Sequence, residues 1–299
     1  HTLLEGHRAI DRVIAISRRW MFSRHELFEL RRTLCGERFD VALDAQGLTK
    51  SALLGRLAGI RRRIGYKKPW GRELSRMLNT ETVDTSTAVH MVDRNLCIIR
   101  PLLEQAGIEQ PPIRFDLPEY PDAAREVERL LREEIRVEGP IACVNVGAAW
   151  PSKRWPPDRF AEVARHLHSH HGLTPLVISG RSEIECRLAE KAVAASAGIA
   201  RLMPQVSLCG LAELIRRAKI FVGGDTGPLH IAAAAETPCV GLYGPFPVER
   251  HGPWGEQHIA IQKMRMDGPV RKRRKAGPEA MEAIDTASVI DACNRILKR

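Results

Sequence analysis

An α/β protein with parallel sheets, divided into two domains, is what this sequence predicts, on three observations. Short apolar runs alternate with helix-period segments in two successive blocks. A proline-rich stretch, Pro111-Pro112, Pro118 and Pro121, lies between the blocks and reads as a linker. The 299 residues, 44% of them apolar, are long for one core and sufficient for two. The expected division is 1–117 and 118–299, with the last helix a candidate to pack back on the first domain.

In the first block, 26–37 reads as a helix and Phe39-Asp40-Val41-Ala42-Leu43-Asp44 as a short buried strand. The turn Ala45-Gln46-Gly47 leads into a helix over 48–57, and Ile64-Gly65-Tyr66 reads as another strand. A doubly wound domain opens with a strand, a glycine-containing turn and a helix. This chain opens instead on Leu3-Leu4-Glu5-Gly6-His7, so about one β-α-β unit, on the order of 30 residues, is expected to be missing from the front.

After the linker comes a charged helix over 123–134. The second block then alternates regularly. Strands are expected at Ile141-Ala142-Cys143-Val144-Asn145-Val146, Pro175-Leu176-Val177-Ile178-Ser179, Ile220-Phe221-Val222 and Cys239-Val240-Gly241-Leu242-Tyr243. Helices are expected over 158–168, 183–195, 229–236 and 287–297; the first carries Phe160, Val163, Ala164 and Leu167 on one face. The basic run Arg271-Lys272-Arg273-Arg274-Lys275 reads as a solvated loop.

Composition narrows the partners. The formal net charge of +10 suits an anionic partner or a membrane surface. Only 5% of residues are aromatic and no basic patch is interleaved with them, which argues against nucleic acid. Seven scattered cysteines, none in C-x-x-C, read as reduced, buried thiols. No apolar run reaches the ~18–20 residues of a membrane-spanning helix. His166, His168, His170 and His171 cluster at a helix end, where a cationic group facing the last carbonyls is favoured over a metal site. There is no Walker loop and no G-x-G-x-x-G.

Four segments at strand ends carry candidate chemistry. The first is Val222-Gly223-Gly224-Asp225-Thr226-Gly227-Pro228-Leu229-His230. A strand runs through a tight turn into a helix with Pro228 in its first turn and Asp225 or Thr226 as candidate cap. Backbone N–H groups and the helix dipole at such a start favour a pyrophosphate, and Gly224 and Gly227 allow close approach. The second is Gly147-Ala148-Ala149-Trp150-Pro151-Ser152-Lys153-Arg154-Trp155-Pro156, where Lys153 and Arg154 can neutralise a departing nucleotide. The third, Gly180-Arg181-Ser182-Glu183-Ile184-Glu185, offers Glu183 or Glu185 to a ribose diol. The fourth gathers the polar groups Asp44, Gln46 and Lys50 past a strand end, followed by the basic cluster Arg61, Arg62 and Arg63; the basic side chains suit carboxylates or phosphates. Each has a plainer structural reading: a common strand-to-helix turn, a basic pair beside a packed tryptophan, a helix-start glutamate, a solvated charged face.

Taken together these segments resemble the heptosyltransferases that build the inner core of lipopolysaccharide. The matching motifs are D-A-Q-G-L-T-K-S, R-R-R-I-G-Y, His90-Met91-Val92-Asp93-Arg94-Asn95-Leu96, K-R-W-P, D-T-G-P-L-H and Leu242-Tyr243-Gly244-Pro245, in family order across nearly the whole chain. The resemblance implies a GT-B fold, two Rossmann-like domains facing across a cleft. It also implies an inverting, metal-independent and cofactor-free transfer of heptose from ADP-heptose to a Kdo-lipid A or lipopolysaccharide inner-core acceptor. Lys153 and Asp225 would serve the leaving-group side. Lys153, Arg154, Glu183, Glu185, Asp225, Thr226, Gly227, Pro228 and His230 would bind the donor, and Gln46, Lys50, Arg61, Arg62, Arg63 and Arg72 the acceptor. The location implied is cytoplasmic, peripheral on the inner membrane. The family's base aspartate, in a G-D-x-x-H loop, has no counterpart in this sequence, and the stretch 272–281 lacks the cysteines expected near it. Two other classes share the architecture: a sugar-nucleotide epimerase, and a nucleotide-sugar-binding module without turnover.

Overall fold

The computed structural model describes residues 1–17 and 19–298. Two compact units form: Val13–Ile113, and His1–Arg12 together with Arg114–Arg299. The first residues therefore join the C-terminal part rather than the first domain. Leu3 packs on its core, the Tyr120 hydroxyl donates to the Leu3 carbonyl at 2.8 Å, and Arg8 pairs with Asp116 at 2.5 Å.

The smaller unit holds a three-stranded parallel sheet, β1 (Val41–Leu43), β2 (Arg62–Tyr66) and β3 (Glu81–Val83), in that order. Helix Arg24–Gly36 begins at Ser23, whose hydroxyl accepts the Glu26 N–H at 3.2 Å. Its Leu30 and Leu34 pack with Trp20 against Leu53, Leu54 and Leu57, the last three contributed by helix Thr49–Leu57. A second cluster joins Ile64, Tyr66 and Ile98.

The larger unit has six parallel strands: β4 (Ile141–Asn145), β5 (Thr174–Ile178), β6 (Arg201–Leu202), β7 (Ala218–Gly224), β8 (Cys239–Tyr243) and β9 (Ile259–Gln262). Their spatial order is β6-β5-β4-β7-β8-β9, a doubly wound Rossmann arrangement. Helices cover both faces, so inner strands read as unbroken apolar runs. Ala142 and Val144 of β4 face one layer with Phe160, Leu167, Val289 and Ile296. Ile141 and Cys143 face the other with Val127, Leu214, Phe221 and Tyr243. The strand order reverses between β4 and β7, which leaves a crevice at the carboxyl ends of these two strands.

Three local expectations change. Pro121 opens helix Pro121–Arg129 rather than marking a linker, since proline suits a first helical turn. The last helix, Thr286–Leu297, buries Val289, Ala292, Cys293 and Ile296 in the larger unit's own core, where the sequence had left open a return to the first domain. The basic run forms a short helix, Val270–Arg274, rather than a loop. Among the described residues no helix is long and apolar enough to cross a membrane, and all seven cysteines are free.

Candidate active site

A cavity of about 790 Å³ opens in the larger unit, lined by the segments that follow β4, β5, β6 and β7. It occupies the crevice that the strand order predicts.

Asp225, directly after β7, is the buried charge of the site, 6% exposed. The Lys153 ammonium donates to its Oδ2 at 2.6 Å and to its backbone carbonyl at 2.8 Å. His230 Nε2 lies 3.5 Å from the other carboxylate oxygen. Burial alone would push this carboxyl up; the His230 hydrogen bond and the Lys153 charge more than offset it and hold it below the ordinary value. Lys153 ends the short 3₁₀ turn Pro151–Lys153 after β4, and its side chain is mostly buried. The ammonium sits 4.9 Å from the Trp150 ring centre and 4.6 Å from that of Phe246, two rings 5.5 Å apart. Its position is therefore fixed by both a carboxylate and an aromatic pair.

The turn after β7 is built differently from the sequence expectation. Thr226 occupies the N-cap of helix Gly227–Ala234, yet neither it nor Asp225 caps through its side chain. The Thr226 hydroxyl donates to the Gly224 carbonyl at 3.2 Å and accepts from Asn145 Nδ2 at 3.1 Å. The helix start thus carries no side-chain cap on the cavity wall, where the helix dipole favours an anion. Gly224 does not serve ligand approach: a Cβ there would meet the Lys153 carbonyl at 3.1 Å, so this glycine lets the lysine turn close on β7.

At the other end of the cavity, helix Glu183–Ala195 begins with Ser182 as its side-chain N-cap. The Ser182 hydroxyl accepts the Glu185 N–H at 3.3 Å and donates to Glu185 Oε2 at 2.6 Å, which holds the carboxylate over the helix start. The carboxylate lies against Gly147 and Gly180, where added Cβ atoms would come within 2.8 and 2.4 Å of it. Glycine at both positions leaves open the space this carboxylate occupies.

Of the expected donor residues, Lys153, Glu185, Asp225, Thr226, Gly227 and Pro228 line the cavity together. Glu183 does not; it is exposed and pairs with Arg187 one helical turn on. Arg154 is spent on the loop itself, donating to the Ala148 carbonyl at 2.9 Å and the Ala149 carbonyl at 3.4 Å. His230 reaches the site through Asp225. Asn145, Trp150 and Phe246 were not foreseen. Asn145 had a signal, a polar residue ending an apolar strand; Phe246 had none beyond following Tyr243-Gly244-Pro245.

In the smaller unit, Lys50, Arg61 and Arg72 are exposed, and Gln46 lines a second cavity of about 410 Å³. Arg62 is held by Glu81 at 2.8 Å and by Gln105, and Arg63 donates to the carbonyls of Leu78, at 2.8 Å, and Ile60. Both guanidinium groups stitch β2 to its surroundings rather than face solvent freely. The histidine cluster is organised by Asn294, whose Oδ1 lies 2.8 Å from His166 Nε2 and 2.7 Å from His171 Nε2, while His166 and His170 stack at 4.2 Å.

His251 gives the larger unit a pH dependence. Burial, helped by Arg250, pushes its imidazole down to about 4. The folded protein therefore keeps it neutral while an unfolded chain takes a proton near ~6.5. Its contribution to stability is complete above that value and is lost as pH falls from there towards about 4. Urea midpoints measured from pH 7 to 4 should decline over this window, and His251→Gln should flatten the decline; an unchanged profile in the variant would contradict this.

Residues 27–280 match the family model of glycosyltransferase family 9 (heptosyltransferase). Lipopolysaccharide heptosyltransferase 1 of Pseudomonas aeruginosa is 29% identical over 269 residues, which is 85% of this chain and 70% of that protein. The crystal structure of the glycosyl transferase family 9 from Veillonella parvula superposes with a TM-score of 0.81 at 19% identity, covering 99% of this chain and 85% of that one. The structure of E. coli heptosyltransferase WaaC with ADP superposes with a TM-score of 0.71 at 24% identity, covering 97% of this chain and 85% of that one. With this fold and these motifs, the chain belongs to glycosyltransferase family 9, the heptosyltransferases, and is a glycosyltransferase of the GT-B fold.

Proposed function

We propose that the larger unit binds ADP-heptose and that the enzyme transfers heptose to a Kdo-lipid A or inner-core acceptor, in one inverting displacement that needs no metal. The observation that carries this reading is the Lys153–Asp225 pair beside an uncapped helix start on the cavity wall. As the anomeric C–O bond breaks, negative charge grows on the departing diphosphate. The Lys153 ammonium and the N–H groups at Gly227–Ala234 meet that charge in a site of low solvent exposure. Asp225, held below its ordinary pKa, is a poor proton acceptor; it orients Lys153 rather than serving as base. Glu185, at the far end, accepts hydrogen bonds from the ribose diol.

In the smaller unit, the exposed cations Lys50, Arg61 and Arg72 are suited to the carboxylates and phosphates of the acceptor. The overall charge of +10 favours a peripheral place on the anionic cytoplasmic face of the inner membrane.

The test is ADP release from ADP-heptose by the full-length protein, with and without Kdo-lipid A. Release should require the acceptor, and the product should carry the inverted anomeric configuration. Glu185→Gln should raise the donor KM by roughly 10-fold or more, the worth of a hydrogen bond to a charged group, with kcat less affected. Donor turnover that ignores the acceptor, as an epimerase would show, or donor binding with no turnover at all, would overturn the reading.

A further inference from the structure

The basic run lies beside this cavity, and nothing in the transfer described so far uses it. Helix Val270–Arg274 packs on the 3₁₀ turn that carries Lys153. Arg274 places its guanidinium carbon 4.2 Å from the centre of the Trp150 ring, which itself lines the cavity. Arg273 lies 5.8 Å from the Phe246 ring centre, the ring that also flanks Lys153. Its Nε and Nη2 donate to the Gly268 carbonyl at 3.0 and 2.8 Å, which fixes the group without neutralising it. Three cations are thus collected around one aromatic pair.

Acidic compensation is missing from this edge. Among the described residues none of the five cations from Arg271 to Lys275 forms an ion pair. Of the carboxylates nearby in sequence, Glu249 and Asp267 lie against Arg265 and Asp285 against Lys263, while the exposed Glu279 and Glu282 form no ion pair with the run. Like charges gathered this closely repel unless an anion sits among them. Arginine forks, preorganised on rings, are suited to phosphate oxygens in a way solvated lysines are not.

We infer that Arg273 and Arg274 form a second cationic clamp on the diphosphate of the nucleotide, next to Lys153. The inference rests on the reading of the cavity as a nucleoside diphosphate site. Asp225 neutralises Lys153 in part, so the two arginines supply charge that Lys153 alone does not. The clamp reads phosphates and is indifferent to the nucleoside.

Calorimetric titration of the full-length protein with ADP, AMP and adenosine separates these contributions. In R273Q/R274Q, ADP affinity should fall by about 10- to 100-fold, AMP less and adenosine not at all, with a flatter dependence of ADP affinity on salt. R273K/R274K should recover part of the loss, which a merely structural role for the helix would not predict. Equal ADP affinity in the glutamine variant and the wild type overturns the clamp. If that equality comes with lost sedimentation on phosphatidylglycerol vesicles, the run serves a lipid surface instead, and the clamp is again overturned. Wild-type protein that binds ADP no better than adenosine would refute the reading of the cavity itself, a result distinct from failure of the clamp alone.

Discussion

Lys153→Ala should lower kcat by about 10²- to 10³-fold, with a much smaller change in donor KM, in an ADP-release assay with saturating acceptor. The reason is where its charge sits. The ammonium is enclosed by Trp150, Phe246 and Asp225, so its interaction with a growing negative charge is little screened by water. In the ground state part of that charge is satisfied by Asp225. The pull on the diphosphate is strongest only as the glycosidic bond breaks, which is the condition for an effect on kcat rather than KM. The substitution also strands a buried carboxylate with His230 as its remaining neighbour. Its pKa should then rise, because the desolvation that Lys153 offset remains. The double variant Lys153→Ala/Asp225→Asn removes the stranded charge and should recover stability while leaving kcat low. Recovery of both would mean that the lysine acts on folding; an unchanged kcat in the single variant would remove it from the reaction.

Trp155→Ala should be the most destabilising single change near the site, costing about 3–5 kcal/mol of stability. Trp155 is 2% exposed, meets Phe160 edge-on at 4.8 Å, and donates its indole N–H to the Ile284 carbonyl at 2.9 Å. It ties the loop after β4 to helix Pro157–His171 and to the segment before the last helix. Truncation leaves a cavity and removes one of the two donors to the Ile284 carbonyl, the other being the Arg159 guanidinium at 2.5 Å. Trp155→Phe keeps most of the packing and should cost about 1 kcal/mol for the lost hydrogen bond, plus whatever void the smaller ring leaves. Because Lys153 stands two residues away on the same loop, kcat should fall in Trp155→Phe even at temperatures where the protein is fully folded. Urea denaturation and steady-state assays on the same preparations decide this: equal stability of Trp155→Ala and wild type would contradict the packing account.

The larger unit was readable in the sequence because its strands are buried on both faces. Ile141-Ala142-Cys143-Val144 and Cys239-Val240-Gly241-Leu242-Tyr243 have no polar interruption. At the sheet's edges the signal fades: β6 is two exposed residues, Arg201 and Leu202, and β9 is only partly buried. In the smaller unit β3 is Glu81-Thr82-Val83, too short for any period to show. The site was legible where function follows strand ends, which led to Lys153, Asp225 and Glu185. It was not legible where direction matters. Lys153 and Arg154 are neighbours with opposite fates, one in the cavity and one bound to loop carbonyls. Glu183 and Glu185 could have been separated, since Ser182-x-x-Glu185 is the spacing of a capping box. Nothing local revealed that Thr226 would turn to Asn145, because that contact spans β4 and β7.

Every group that fixes the nucleotide in this reading comes from the carboxyl edge of one sheet, within the larger unit. That separation has an evolutionary meaning. In the same reading the acceptor-side residues Arg61 and Arg72 belong to the other unit, so substitutions there should leave the lysine, the carboxylates and the glycines of the proposed donor site undisturbed. On that reading, acceptor choice could change across a lineage while the donor stays the same. Chimeras that exchange Val13–Ile113 between relatives would show how far that independence extends.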